Sequence, residues 1–456
     1  MQKTAGASAA LEPLEPPAST PADDGPRPGP VIGFGGHNPA LDGLRAIAVL
    51  AVFFHHMDVL PGGYVGVDLF LVLSGFLITG LLLAERDRTG GISLKAFWVR
   101  RAFRLLPAFY VFVLVGIPLV LLLKDADDQW QFLRNGVAAV LYVANIYRAI
   151  EPHDTGAWFN HTWSLSLEEQ FYLVWPLALV LLCRRPGLRQ RTPEILAGVI
   201  LLVLIWREVL IALGASNLRI YFGPDTRVDA LLVGCLLAVW RHDALRAQGG
   251  PRHADRERRI RLMERIAQFG PLALLALVAV FLAAPKPDSP PTWLAYGGYT
   301  LVAILAAVAV LAADRHRPAR YYQFLSTRIM SWTGRISYSL YLWHFPVTGI
   351  ANDKLVPRIG RGPASGLALA ASVALAAGSY YLIERPVQRR RPAWASSGSQ
   401  RRQNAAGDGL VPEQSTADRP AVDQSAVDQP TVKLSVRSTA PSDAPAAAPT
   451  QPAQID

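Results

Sequence analysis

Cysteine is almost missing from this 456-residue chain, and the two present, Cys183 and Cys235, both fall inside apolar runs with no partner at zinc or redox spacing. Neither a disulfide framework nor a metal site is implied, and no permanently bound cofactor is expected. Charge is scarce as well. Only 18% of residues are charged against 51% hydrophobic, a balance that excludes an ordinary soluble enzyme when the apolar residues gather into long runs. The first 38 residues are rich in Pro, Ala and Gly and place no apolar segment behind a basic start, which argues against a signal peptide. There is no repeat at solenoid spacing and no inverted repeat of broken helices of the kind many transporters carry.

What is present is a series of apolar runs: Leu41 to Met57, Val65 to Leu83, Leu105 to Leu123, Leu165 to Cys183, Ile195 to Leu213, Val228 to Trp240, Pro271 to Ala284, Trp293 to Ala312, Ile336 to Ile350 and Ala364 to Ile383. The net charge of +10 lies in basic clusters between them, where positive-inside topology needs it, so it is read as topological and not as a nucleic-acid surface. The stretch Phe132 to Ile150 is interrupted by Arg134, Asn135, Asn145 and Arg148. If it crossed the bilayer, Arg184 to Arg191 and every later basic loop would fall outside. The expectation is therefore an all-α polytopic membrane protein of about ten transmembrane helices, with a re-entrant or interfacial helix in the loop after the third span. It divides into a disordered cytoplasmic arm at 1–38, a membrane domain at 39–390 and a disordered cytoplasmic tail at 391–456. Both termini face the cytoplasm of a plasma membrane.

Polar residues inside apolar runs are the candidates for chemistry, because each costs insertion energy. Arg45 and His56 lie eleven positions apart, which at ~100° per residue returns to nearly one helical face ~16 Å further along. Asp68 opens the second span at the depth of His56, where a carboxylate can orient an imidazole for general-base work; the plainer readings are an interfacial histidine and a helix-N-terminal charge. Arg101 and Arg104, at i and i+3, share a face and either clamp a polyphosphate or anchor to lipid phosphates. In HTWSLSLEEQFYLVWP, Ser166 and Glu169 have capping-box spacing, which leaves Glu168 without a local role, while Trp163 and Tyr172 fit an aromatic belt or a sugar-stacking wall. Arg227 and Asp229 either pair with each other or face a polar cavity. His344 lies deep in its span, and Glu384 with Arg385 has the form of a boundary ion pair.

These motifs taken in order, LDGLRAIAVLAVFFHH, GYVGVDLFLVLSGFLIT, WVRRAFRLLPAFY, WSLSLEEQFYLVWP, RISYSLYLWHFPV and IERP, resemble the acyltransferase-3 superfamily of membrane O-acetyltransferases over roughly residues 38 to 390. The resemblance implies an acyl-CoA donor, usually acetyl-CoA, on the cytoplasmic side and a carbohydrate hydroxyl as acceptor on the other. It assigns catalysis to His56 and Arg45, and donor binding to Arg101 and Arg104. On that mechanism Asp68 orients His56, with Glu168 as the rival partner, and Ser74 assists the oxyanion. Trp163, Glu169, Tyr172, Arg227 and His344 are the expected acceptor contacts. His55 stands where the family often has an aromatic residue. Relatives acting on peptidoglycan or lipopolysaccharide often add an SGNH-type domain, and none is expected here. A glycan or glycolipid transporter or flippase is the competing class, since it also explains buried charge.

Overall fold

The computed structural model describes residues 37–123, 126–151, 158–246, 253–286, 292–316 and 318–395, and among these there is helix and turn but no strand. The expected arms at 1–38 and 391–456 lie almost wholly outside the described residues. The helices used below are α1 (Pro39–His56), α2 (Gly66–Thr89), α3 (Leu94–Leu123), α4 (Ala126–Val140), α5 (Ala144–Ile150), α6 (Trp163–Arg184) and α7 (Thr192–Ala212). They continue with α8 (Pro224–Arg246), α9 (His253–Ala267), α10 (Gly270–Ala283), α11 (Tyr299–Arg315), α12 (Arg328–Arg335), α13 (Ser337–Ile350) and α14 (Arg361–Ser379).

Helix ends follow local chemistry. α1 starts where the Asn38 side chain accepts the Ala40 N–H at 3.0 Å and Pro39 fills the first helical position. α2 stops at Gly90, whose φ of 76° lets its N–H return to the Arg86 carbonyl.

Among the described residues six helical segments are long and apolar enough to cross a membrane: those containing α2, α3, α6, α7, α11 and α14. A seventh is added if α9 and α10, bent by 45°, form one span. The other runs expected to cross are helical too. α1 and α13 are short at 18 and 14 residues, and α8 carries Arg227, Asp229 and Arg241 within its length. α4 and α5 occupy the loop after α3, with Trp130, Leu133 and Val137 of α4 exposed.

Burial separates centre from periphery. The apolar windows of α2 and α11 are 72% and 61% buried, against 17% for α7 and 22% for the segment beginning with α14. Leu201 and Leu202 on α7 and Leu367 and Leu375 on α14 are exposed, as lipid-facing residues are. α2 and α8 cross closely because a methyl at Gly75 would meet the Leu231 carbonyl oxygen and one at Gly234 would meet that of Val72.

Buried ion pairs lock the same helices. Arg227 on α8 donates to Asp68 on α2 at 2.7 Å and lies 3.8 Å over the Tyr299 ring of α11. Arg207 on α7 donates to Asp229 at 2.5 Å, and Asp229 also accepts from Thr300 at 2.6 Å. Near the other end, Arg241 donates to Asp314 at 2.5 Å. Arg227 and Asp229 therefore do not pair with each other; each reaches across to a different helix.

Candidate active site

A cavity opens among α1, α2, α3, α6 and α13. α2 contributes Val67, Phe70 and Ser74, spaced i, i+3 and i+7 on one face, and α6 contributes Ser164, Leu165, Glu168 and Tyr172. Arg101, Arg104 and Leu105 enter from α3, Tyr338 and Tyr341 from α13, and Arg45 from α1. The sequence-derived set of Arg45, Ser74, Arg101, Arg104, Glu168 and Tyr172 thus meets in one place.

The guanidiniums are incompletely matched. Arg45 donates to Asp42 at 3.1 Å, one turn back on α1. Arg101 lies 3.7 Å over the Tyr172 ring and 3.8 Å from Glu169, too long for a hydrogen bond. Arg104 is exposed within the cavity and makes neither a hydrogen bond nor an ion pair among the described residues. Three cations with one close carboxylate partner form an anion-binding mouth.

Deeper in, Glu168 accepts from Ser74 at 3.0 Å and from the Tyr172 hydroxyl at 2.9 Å. The Ser74 hydroxyl thus donates to a carboxylate in this structure. Tyr341 also lines the cavity. Its hydroxyl lies 2.7 Å from Ser164 Oγ and donates to the His161 carbonyl at 2.9 Å.

Behind Tyr341 stand three imidazoles. The His161 and His344 rings each lie 5.4 Å from that of Tyr341, His161 and His344 are 5.5 Å apart, and His344 is 5.3 Å from His56. His344 is fully buried, and its Nδ1–H donates to the Tyr341 carbonyl at 2.7 Å. That bond fixes the tautomer and leaves the Nε2 lone pair free, since Nε2 has no partner among the described residues. Phe345 packs on both His161 and His56, at 5.0 and 4.8 Å. His55 is directed elsewhere: its Nδ1 donates to the Pro61 carbonyl at 2.9 Å, tying down the turn between α1 and α2. Among the described residues no group of His, Cys, Asp or Glu is arranged to hold a metal ion.

The family model described as "Acyltransferase domain", for acyltransferase-3, matches residues 38–383. The chain belongs to the acyltransferase-3 family. Among curated proteins it is 36% identical over 326 residues to "Putative O-acetyltransferase SACOL0978" of Staphylococcus aureus strain COL, covering 70% of this chain and 52% of that one. It is 33% identical over 371 residues to O-acetyltransferase OatA of Staphylococcus aureus strain NCTC 8325, covering 77% of this chain and 57% of that one. The chain thus spans about half the length of these curated relatives. No solved structure matches it.

Within this acyltransferase-3 chain several expected contacts are replaced. Asp68 makes no hydrogen bond to His56 among the described residues: its Oδ1 accepts from Arg227 and its Oδ2 has no partner there, and the rival Glu168 is held by Ser74 and Tyr172. Arg227 lines no part of the cavity, and Trp163 is buried against Tyr221 and Phe222 at 4.7 and 5.3 Å. The capping box does not form. α6 begins earlier, after a 3-10 turn at Asn160–Thr162, so Ser166 sits in its interior donating to the Thr162 carbonyl, and Glu169 is turned to Arg101. Glu384 makes no boundary pair; a π turn at Tyr380–Glu384 carries it inward, where the Ser339 hydroxyl donates to it. Sequence reasoning did not single out Phe70, His161 and Tyr341. The one available signal was Tyr341 at i−3 from His344, on the same helical face.

Proposed function

We propose that this protein is an integral membrane O-acyltransferase that moves an acyl group, acetyl first among them, from cytoplasmic acyl-CoA to a hydroxyl of an extracytoplasmic or membrane-linked carbohydrate. The observation that carries the proposal is a cavity lined by Arg45, Arg101, Arg104 and Tyr341, with His344 5.4 Å from the Tyr341 ring and His56 5.3 Å from His344, so that the histidines lie outside the cavity lining and next to it. The names of the curated relatives support the reaction class. In this reading α1, α8 and α13 cross the bilayer with the more apolar spans, giving ten crossings. α4 and α5 lie as a re-entrant or interfacial pair, and the termini face the cytoplasm of the plasma membrane. The fixed charges of α1 and α8 are tolerated because they face partners or the cavity and not lipid.

The mechanism follows from the donor set. Arg101 and Arg104 hold CoA phosphates at the mouth, with Arg45 beside them, while the acyl-bearing arm passes between α2 and α6. His56 takes the proton of the acceptor hydroxyl, the oxygen attacks the thioester carbon, the carbon–sulfur bond breaks and the thiolate leaves with a proton. His344, held in one tautomer by the Tyr341 carbonyl, packs its ring 5.3 Å from that of His56 and so limits where the base can turn.

The test uses the full chain in lipid nanodiscs with acyl-labelled acetyl-CoA and glycans extracted from its own membranes. Wild type should release CoA and label glycan, and His56→Ala should lower turnover by about 10²-fold or more while still inserting. Retained turnover in that variant overturns the assignment of the base. Glycan movement across the bilayer without CoA release overturns the enzyme reading in favour of a transporter.

A further inference from the structure

Resting on the acyl-CoA reading above, we infer that a groove along α12 binds the adenosine 3′-phosphate end of the donor, with Trp332 as the platform for the adenine and Arg335 as the partner of the ribose phosphate. Coenzyme A carries a pyrophosphate and a separate phosphate on its ribose. The reading above places the pyrophosphate at Arg45, Arg101 and Arg104, which leaves the ribose phosphate and the purine without a partner.

The groove stands beside that cavity. α12 is pressed on the start of α1: a methyl at Gly334 would meet the Asp42 carbonyl oxygen, and the Asp42 side chain accepts from Arg45. Ser337, two residues beyond Arg335, already lines the cavity. The charges of Arg335 and Arg45 both act on His37, each opposing the rise in its pKa.

The groove has the chemistry of a nucleotide phosphate site. It is lined by Ser326, Arg328, Ile329, Ser331, Trp332 and Arg335, with no acidic residue to repel an anion. Arg328, Trp332 and Arg335 are spaced i, i+4 and i+7, so the indole stands between two guanidiniums on one face of α12. Both arginines are exposed and make no hydrogen bond or ion pair among the described residues, whereas Arg241 and Arg315 face Asp314 and Glu264. A free guanidinium can take a phosphate bidentately. Trp332 is part-buried, and its Nε1 donates to the Tyr381 hydroxyl at 3.0 Å, which steadies the ring. A steadied indole with surface still accessible can stack a purine.

The experiment measures thiol release by the full chain in phosphatidylcholine nanodiscs with acetyl-CoA and acetyl-dephospho-CoA, which lacks only the ribose phosphate. The ratio of kcat/KM between the two donors within one preparation is insensitive to the fraction of folded protein. Wild type should prefer acetyl-CoA by about ten-fold, the scale of one charged hydrogen bond, and Arg335→Gln should bring the ratio close to one. Arg320→Gln, an exposed arginine outside the groove, should leave the ratio unchanged; an equal fall there shows a diffuse basic surface and overturns the site. Adenosine 3′,5′-bisphosphate should compete with acetyl-CoA, and Trp332→Leu should weaken that inhibition about five-fold or more. Unchanged inhibition in Trp332→Leu overturns the platform. A wild type that turns over both donors equally overturns the subsite and leaves the acyltransferase reading standing. So does an Arg335→Gln defect that falls equally on both donors and appears only when phosphatidylglycerol is added, since the groove then holds a lipid headgroup. A wild type that releases thiol from neither donor overturns the donor reading, and the subsite with it.

Discussion

Two groups of arginines sit inside the helical bundle, and they are matched in opposite ways. Arg207 and Arg227 are 0% exposed, each facing its own aspartate at 2.5 and 2.7 Å, so the group is electrically neutral and closed. Arg45, Arg101 and Arg104 line a cavity, with one partner at 3.1 Å, one at 3.8 Å and, among the described residues, no hydrogen bond or ion pair for Arg104. A charge at membrane depth persists only when it is paired or when it faces water or ligand. The closed group therefore holds α2, α7, α8 and α11 together, and the open group is left for a substrate. Arg45 and Arg227 both read in sequence as polar residues in or beside apolar runs, and pairing distinguishes them.

The largest effect should come from breaking the closed group. Asp68→Asn leaves Arg227 as an uncompensated buried charge and should destabilise the protein by about 3–5 kcal/mol, seen as loss of folded protein in detergent melts. The double change Asp68→Leu with Arg227→Met removes both charges and should recover most of that stability, because an apolar replacement of similar volume is often neutral or better. A double variant as unstable as Asp68→Asn would show that the pair does more than neutralise itself. The open group should respond in the other currency of function. Arg104→Gln should raise KM for acetyl-CoA about ten-fold or more, the ~1.5–3 kcal/mol of a charged hydrogen bond, with the melting curve nearly unmoved. An Arg104→Gln protein that melts early but keeps its KM would put Arg104 with the closed group.

Much of this division was beyond reach of local sequence reading. Arg101 and Arg104 were legible because i, i+3 spacing puts them on one face, and the apolar runs that defined the helices needed only composition. Asp68 and Arg227 are 159 positions apart, and their pairing depends on how α2 packs on α8 through Gly75 and Gly234, which no periodicity reports. Asp68 was therefore matched with the histidine nearest in depth, whereas in the structure its Oδ1 accepts from Arg227. Phe70, Tyr341 and His161 were hidden for a different reason: an aromatic residue in an apolar span has the same sequence signature whether it fills the core or lines a cavity. Ser166 and Glu169 had correct capping spacing, but the turn at Asn160–Thr162 moved the helix start past them.

The smallest effect tests the edge of the open group. His37, just ahead of α1, approaches Asp42 Oδ2 at 2.6 Å, while Arg45 takes the other oxygen at 3.1 Å. The hydrogen bond to Asp42 raises the His37 pKa above its ordinary 6.5, against the opposing effect of partial burial. A raised folded-state pKa means that the pair contributes fully below pH 6.5 and is lost as the pH climbs through the folded value. His37 is 53% exposed at its side chain, so solvent screening keeps the contribution to a few tenths of a kcal/mol. His37→Asn should then differ slightly from wild type in melting at pH 5.5 and not at all at pH 8.5, with an NMR titration of His37 centred above 6.5. Deprotonation also leaves Arg45 as the cation on Asp42, so acetyl-CoA affinity should fall slightly across the same range, as Arg45 binds Asp42 more firmly. A titration centred at or below 6.5 would detach His37 from the cavity mouth and leave Asp42 as Arg45's partner alone.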